Sequence, residues 1–163
     1  MARRFAVLSA VLVFFGAGAA VAAEPVQPRA NVILSGQIKF PRAQAMYLQT
    51  GAKDGSRLTV ALGFHGKCKG GGLSEVWVAN VASKPALRVR EGRFEGTLKG
   101  VSRNLGGVAG RTGHFQWAFK GRFTERTVAV GTVSGTAEIR VGGKVVSRCR
   151  TSKPASVRLA RSA

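Results

Sequence analysis

The chain has 163 residues and a formal net charge of +19, from 26 Lys and Arg against 7 Asp and Glu. After removal of a short N-terminal signal segment, its length suits one domain with a hydrophobic core. The charge predicts attraction to polyanions and some self-repulsion, and it excludes no fold.

The first 23 residues have the three parts of a secretory signal peptide. Arg3 and Arg4 form a positive start, an uncharged apolar stretch follows, and small residues precede Ala23. A membrane anchor is the alternative, since the uncharged run from Phe5 to Ala23 has 19 residues. Its second half is mostly Gly and Ala and is therefore weakly apolar. We predict cleavage after Ala23 and export to the periplasm, cell wall or extracellular medium.

Cleavage would leave residues 24–163, with 24 Lys and Arg against 7 Asp and Glu and a net charge of +17. Residues 24–30 hold two prolines and are predicted to form a flexible leader. Residues 31–163 are predicted to form a single β domain. No second hydrophobic span follows, so we expect no membrane span after signal cleavage.

From Asn31 onward, apolar and polar residues alternate with a period of two, as in half-buried β-strands. Turn signals separate the runs, and one of them, Lys84-Pro85, divides two short predicted strands. About nine or ten strands result, which predicts an all-β domain built as a single antiparallel β-sandwich, with a small β-barrel as the alternative. The clearest runs cover residues 32–40, 58–65, 93–99, 115–123 and 127–141.

Aromatic residues are concentrated on one of these runs. Alternation places four of them on the core face of a strand, namely Phe115, Trp117, Phe119 and Phe123. Trp77 differs, because its neighbours Val76 and Val78 are also apolar and the buried face of that strand is not defined. We therefore predict Trp77 as the candidate aromatic residue for contact with a ligand.

Cys68 and Cys149 are the two cysteines of the chain. An even count in an exported protein favours a disulfide, which would enclose about 80 residues and contribute roughly 4 kcal/mol. Two buried thiols or pairing between molecules are the alternatives. The cysteines stand far apart, without neighbouring Cys or His residues that would complete four ligands, so we predict no zinc or other metal site.

No catalytic motif is recognisable, and no cofactor is implied. His65 and His114 each stand beside a glycine at one end of an apolar strand, and we interpret both as structural. The glycine-rich segment 106–112 departs from a phosphate-binding loop in its spacing and in carrying Arg111 in place of lysine. A secreted hydrolase or lyase remains an alternative, with Glu75, Glu91, Glu95 and Glu125 as its candidate acids.

Basic side chains occupy the outward positions of several predicted strands. On neighbouring strands they would form a flat basic surface that binds phosphate or sulfate through charge-assisted contacts. Strand order does not follow from the sequence, so a common surface is a hypothesis. The predicted polyanion-binding residues are Arg88, Arg90, Arg93, Lys99, Lys144, Arg148 and Arg150.

Short motifs recur in a particular order along the chain: Ser35-Gly36, Phe-x-Gly-x-Cys at 64–68, Gly-Arg-Phe-x-Gly at 92–96, Phe-x-Gly-x-Phe at 119–123, Gly131-Thr132 and a late Cys149. This order resembles that of a small exported bacterial β-sandwich domain of unknown function, over about residues 34–159. The resemblance implies a disulfide between Cys68 and Cys149 and no established activity. The chain departs from the pattern in its very high basic charge.

Three functions are compatible with these observations. We favour an exported, non-enzymatic β-sandwich that associates with anionic envelope or extracellular polymers through a basic face. The alternatives are the hydrolase and a secreted protein-binding or inhibitor module that uses the Asn104–Gly113 loop. Export leaves nucleic acid as a non-specific partner only. The oligomeric state does not follow from the sequence.

Overall fold

The computed structural model of the chain describes residues 24–39 and 43–161. The predicted signal peptide, residues 1–23, lies outside the described residues and stays a prediction. Within the described part of the chain, no helix is long and apolar enough to cross a membrane.

Nine antiparallel strands and one short 3-10 helix form the regular structure of the described residues. The all-β prediction is confirmed, because strand alternation does place one face of the long strands in a common core. The 3-10 helix (Leu105–Gly107) lies between β5 and β6. The strands are β1 (Ile33–Lys39), β2 (Ala43–Thr50), β3 (Arg57–Lys69), β4 (Glu75–Arg90), β5 (Arg93–Ser102), β6 (Arg111–Glu125), β7 (Val128–Val141), β8 (Lys144–Arg150) and β9 (Ala155–Arg161).

The turn predicted at Lys84-Pro85 is wrong, because β4 runs through it as one continuous strand. The register of β3 with β4 shifts between Leu58 and Val60, and β4 carries the extra residues there. Such a bulge tolerates a proline, since the residues within it do not all have to donate an N–H to the ladder.

The strands pair in the order β2-β1-β9-β7-β6-β5-β4-β3-β8. β2 also pairs with β3, and β8 also pairs with β7, so the sheet folds over and encloses its own core. Because β8 bonds to both β3 and β7, the strands do not follow one another around a single ring. The small β-barrel considered as an alternative is therefore not the arrangement found, and the fold is a folded-over antiparallel sheet.

β3 and β6 are not hydrogen-bonded neighbours, yet their side chains meet across the core. The ring centroid of Phe64 lies 5.2 Å from that of Phe115 and 5.0 Å from that of Trp117. Gly135 of β7 makes room for these rings, because a Cβ on it would lie 2.5 Å from the Trp117 indole. The predicted core position of the four aromatic residues is confirmed by exposed fractions of 2%, 0%, 3% and 4% for Phe115, Trp117, Phe119 and Phe123.

The leader, residues 24–30, has no regular secondary structure but lies against turns at one end of the sheet. The backbone N–H of Arg29 donates to the carbonyl of Arg126 at 2.8 Å, and Thr50 Oγ1 donates to the carbonyl of Arg29 at 2.7 Å. Val26 is half-buried against the core, and a Cβ on Gly92 would lie 2.6 Å from its carbonyl oxygen. The leader thus covers the end of the sheet that holds the β4–β5 and β6–β7 turns.

Candidate anion-binding surfaces

The two Gly-Arg-Phe tripeptides of the sequence lie opposite each other on β5 and β6. Arg93 pairs with Arg122, and Phe94 pairs with Gly121. The rings of Phe94 and Phe123 are 5.8 Å apart and inclined at 65°. Position 121 requires glycine, because a Cβ there would lie 2.5 Å from the Phe94 ring. The buried aromatic pair supports two arginines that are exposed on the outer face.

The strand register extends this pair into a row across the outer face of the sheet. Further arginines lie at neighbouring positions on β3, β4 and β9, and Val130 of β7 interrupts the row. All of these arginines are exposed. We call the row the arginine band, which consists of Arg57, Arg88, Arg90, Arg93, Arg122 and Arg158.

Like charges stand directly opposite each other in the arginine band. Arg57 pairs with Arg88, and Arg93 pairs with both Arg90 and Arg122. Like charges directly opposite across two strands destabilise the pair. Among the described residues, no carboxylate oxygen lies within 4.0 Å of a nitrogen of the band. Its positive charge is therefore left without a protein counter-ion in that part of the chain.

The middle of the arginine band borders a cleft of about 650 Å³ between β4, β5 and β6. Glu95 is the acidic residue that lines it, and its Oε2 lies 3.8 Å from Lys120 Nζ, with the two side chains 70% and 77% exposed. Such an exposed pair contributes little. The cleft is therefore strongly basic, and its lining residues are Ala86, Arg88, Arg90, Arg93, Phe94, Glu95, Lys120 and Gly121.

The predicted disulfide between Cys68 and Cys149 is confirmed. A second group of basic residues surrounds it. Cys68 of β3 pairs directly with Cys149 of β8, and their sulfur atoms are 2.04 Å apart. The residues on either side of each cysteine are basic and exposed, and all four line one cleft of about 1040 Å³. We call these residues the cation square, which consists of Lys67, Lys69, Arg148 and Arg150.

One carboxylate reaches the cation square. Oε1 of Glu138 lies 3.5 Å from Arg148 Nε, and Oε2 of Glu138 accepts a hydrogen bond from Arg140 at 2.7 Å. This hydrogen bond from Arg140 is the main reason that the pKa of Glu138 is lowered, and the charges of Arg140 and Arg148 act in the same direction. Glu138 therefore stays ionised and offsets part of the local positive charge.

The structure divides the predicted polyanion-binding residues between two places. Arg88, Arg90 and Arg93 lie in the arginine band, whereas Arg148 and Arg150 belong to the cation square. The two groups line different clefts. The single flat surface of the hypothesis is therefore replaced by two basic surfaces.

Three other predicted residues lie outside both groups. Lys99 is exposed on β5, and Lys144 is exposed beside the β7–β8 turn, opposite Val141. Trp77 is 53% exposed on β4 and pairs with His65 of β3. Its exposure is compatible with ligand contact, and that role stays a prediction.

The two histidines make different local contacts. His65 is 4% exposed, and its Nε2 lies 2.8 Å from Oε2 of the half-exposed Glu75. Its Nδ1 is buried without a partner among the described residues. His114 is half-buried, with its Nε2 3.4 Å from Thr112 Oγ1. No group of three or more possible metal-ligating side chains occurs in the described ranges.

Of the four candidate acids of the hydrolase alternative, Glu95 lines one of the two clefts described above, and Glu75, Glu91 and Glu125 line neither. The acid in the other cleft, Glu138, was not a candidate, and the hydrolase alternative stays a prediction. The pKa of Glu138 is lowered, and so is that of Asp54, which accepts a hydrogen bond from the backbone N–H of Ser56 at 2.9 Å.

The predicted set of polyanion-binding residues did not include half of the residues in the two groups. Arg122 occupies the same place in its Gly-Arg-Phe copy as Arg93 does in the other, and the register of β5 with β6 pairs the two arginines. The disulfide was the signal for two lysines, since residues that flank bonded cysteines on paired strands become neighbours. The residues outside the predicted set are Arg57, Arg122, Arg158, Lys67 and Lys69.

Comparison with known proteins adds no assignment. The resemblance to a small exported β-sandwich domain therefore stays a prediction that rests on short motifs. No family model, no curated protein and no solved structure matches this chain.

Proposed function

We propose that the protein is exported and associates, without catalysis, with anionic polymers of the cell envelope or its surroundings through the arginine band. The observation that carries this proposal is the row of directly opposed arginines without a carboxylate within 4.0 Å in the described residues. Such a row costs stability in the isolated protein. A polymer that carries phosphate or sulfate supplies the missing charge through charge-assisted, often bidentate, hydrogen bonds.

The shape of the arginine band favours an extended ligand. Its residues lie on β3, β4, β5, β6 and β9, with β7 in between. Because neighbouring strands are about 4.8 Å apart, the row spans roughly 25 Å along the sheet. A small anion would meet two or three of these arginines, whereas a polymer can meet all of them.

Two further observations support the export part of the proposal. Residues 1–23 have the composition of a signal peptide. The Cys68–Cys149 disulfide is a bond of the kind that persists in oxidising compartments. Both observations favour polymers outside the cytoplasm as the partners.

Retention on immobilised heparin tests the arginine band. We expect the oxidised protein to stay bound above about 0.15 M salt, where the Debye length has fallen to about 8 Å. Replacing Arg93→Gln and Arg122→Gln together should lower the eluting salt concentration. In a titration with a labelled sulfated oligosaccharide, the slope of log affinity against log salt should fall by about two, one for each cation removed.

A charge-matched pair outside both groups serves as the control. Arg103→Gln with Lys153→Gln removes the same two charges from exposed positions, one directly after β5 and one between β8 and β9. We expect this pair to change retention much less. The proposal fails if both pairs weaken binding equally, or if the unmodified protein elutes below about 0.1 M salt, where screening is still modest.

A further inference from the structure

We infer that the cation square is a second anion site, selective for a compact, doubly charged phosphate group, and that the disulfide holds this site together. The ligand class is a phosphomonoester or a diphosphate. The cation square and the arginine band line separate clefts, so this inference does not rest on polymer binding by the band.

The cation square is compact where the arginine band is extended. Lys67 pairs with Arg150, and the next outward pair joins Lys69 to Arg148. The corners are therefore about 4.8 Å apart across the strands and about 6.6 Å apart along them at the backbone. All four side chains line one cleft, so a single phosphate group in it can be approached from four directions.

The chemistry of the four side chains suits a group with concentrated charge. Two arginines can each donate a pair of parallel N–H groups to phosphate oxygens, and two lysines add compact positive charges. Coulomb attraction rises with the charge at one point, so a dianion gains more here than single charges spaced along a sugar chain. Ser74 and Ser152 also line the cleft and offer hydroxyl groups.

The opposing charge in the cleft is small. Glu138 is the acidic residue that lines it, and one of its oxygens is engaged by Arg140 at 2.7 Å. Glu75 pairs with Lys67 in the register, but its Oε2 lies 2.8 Å from His65 Nε2. One partly engaged carboxylate against four cations leaves the cleft positive.

The disulfide is what keeps the corners together. β3 pairs with β8 through three residue pairs: the two basic pairs of the cation square and the bonded cysteines between them. Opposed like charges work against such a strand pair. Ser147 Oγ donates to the carbonyl of Lys69 at 3.1 Å, which is a modest addition. Cleavage of the S–S bond would therefore release β8 from β3 and separate the arginines from the lysines.

Titration with sodium pyrophosphate, followed by amide NMR at constant ionic strength, tests the site. We expect saturable shifts at residues 67–69 and 148–150. Replacing Lys67→Gln and Arg150→Gln together should weaken binding about tenfold or more, because two hydrogen bonds to charged groups are lost. The matched control, Arg103→Gln with Lys53→Gln, removes one arginine and one lysine from exposed positions outside both groups and should change it less than about twofold. Equal losses in the two variants, or citrate binding as tightly as pyrophosphate, would overturn the inference.

The rate at which the disulfide is reduced gives a separate test of the coupling between this bond and the anion site. Dithiothreitol passes two electrons and two protons to the disulfide, which leaves thiols on Cys68 and Cys149 and oxidises the reagent to its cyclic disulfide. We expect pyrophosphate to slow this reaction several-fold at matched ionic strength, as measured by alkylation and mass spectrometry. Lys67→Gln with Arg150→Gln should abolish the protection. Equal rates with and without pyrophosphate would show that the bond and the site are independent.

Competition identifies the source of the phosphate group. Glucose 1-phosphate represents a soluble phosphorylated sugar, and vesicles that contain phosphatidic acid represent a lipid headgroup. Displacement of pyrophosphate by either one supports the phosphomonoester class and names its source, and displacement by neither overturns that class. Polymer retention in band variants and pyrophosphate affinity in square variants are separate results, so either proposal can fail alone.

Discussion

Replacing Cys68 and Cys149 together by alanine is expected to lower the free energy of unfolding by about 4.5 kcal/mol. The disulfide joins residues 81 positions apart, and its loss returns the entropy of that large loop to the unfolded chain. Domains of this size are stable by about 5–15 kcal/mol, so the loss is a large part of the total. The repulsive basic pairs beside the bond act in the same direction.

Guanidinium unfolding of the oxidised protein and the double-alanine variant measures this loss. We expect a lower midpoint in the variant, together with a larger m value, because an unfolded chain without the cross-link exposes more surface. The reduced unmodified protein is the matched control and should unfold near the midpoint of the variant. An unchanged midpoint in both would contradict a stabilising role for the bond.

Phe64→Ala is expected to lower the free energy of unfolding by about 3–5 kcal/mol. The Phe64 side chain is fully buried, and its ring contacts those of Phe115 and Trp117 from the far side of the core. The surrounding backbone is already close, since a Cβ on Gly66 would lie 2.6 Å from the Phe64 ring. The cavity left by alanine would be lined by rigid sheet, and its cost adds to the loss of apolar burial.

Trp77→Ala is the control for this substitution. It removes a larger aromatic side chain from β4, the neighbour of β3, but Trp77 is 53% exposed. Surface substitutions of this kind change the free energy of unfolding by no more than about 0.5 kcal/mol. Thermal or denaturant unfolding distinguishes so small a change from the loss expected for Phe64→Ala. Similar losses at the two positions would contradict the assignment of Phe64 to the centre of the core.

Local pattern predicted which side chains point inwards, because the face of a strand residue depends on its parity alone. Phe115 and Trp117 illustrate this: both were placed in the core by alternation, and both are buried. Pro85 shows where the local pattern fails. Whether a proline ends a strand or lies in a bulge depends on the register with the partner strand, and that register is a property of the assembled sheet.

The candidate sites could be predicted only in part, because they depend on which strands are neighbours. Arg93 and Arg148 were grouped as outward residues, but β8 pairs with β3 and β7 rather than with β4 or β5. One feature of the sequence does specify neighbours, since the two bonded cysteines bring the basic residues that flank them to one place. The pairing of Arg93 with Arg122 instead depends on the register of β5 with β6 in the assembled sheet.

Every strand of the described sheet is hydrogen-bonded on both sides over at least part of its length, since β2 closes on β3 and β8 bridges β3 and β7. Along the stretches that are paired on both sides, an incoming peptide cannot be added as a further strand. Recognition there depends on the side chains of the outer face, where charge rather than backbone pairing selects the partner. The same closure protects the folded domain against edge-to-edge aggregation, and a positive charge of this size adds mutual repulsion between copies.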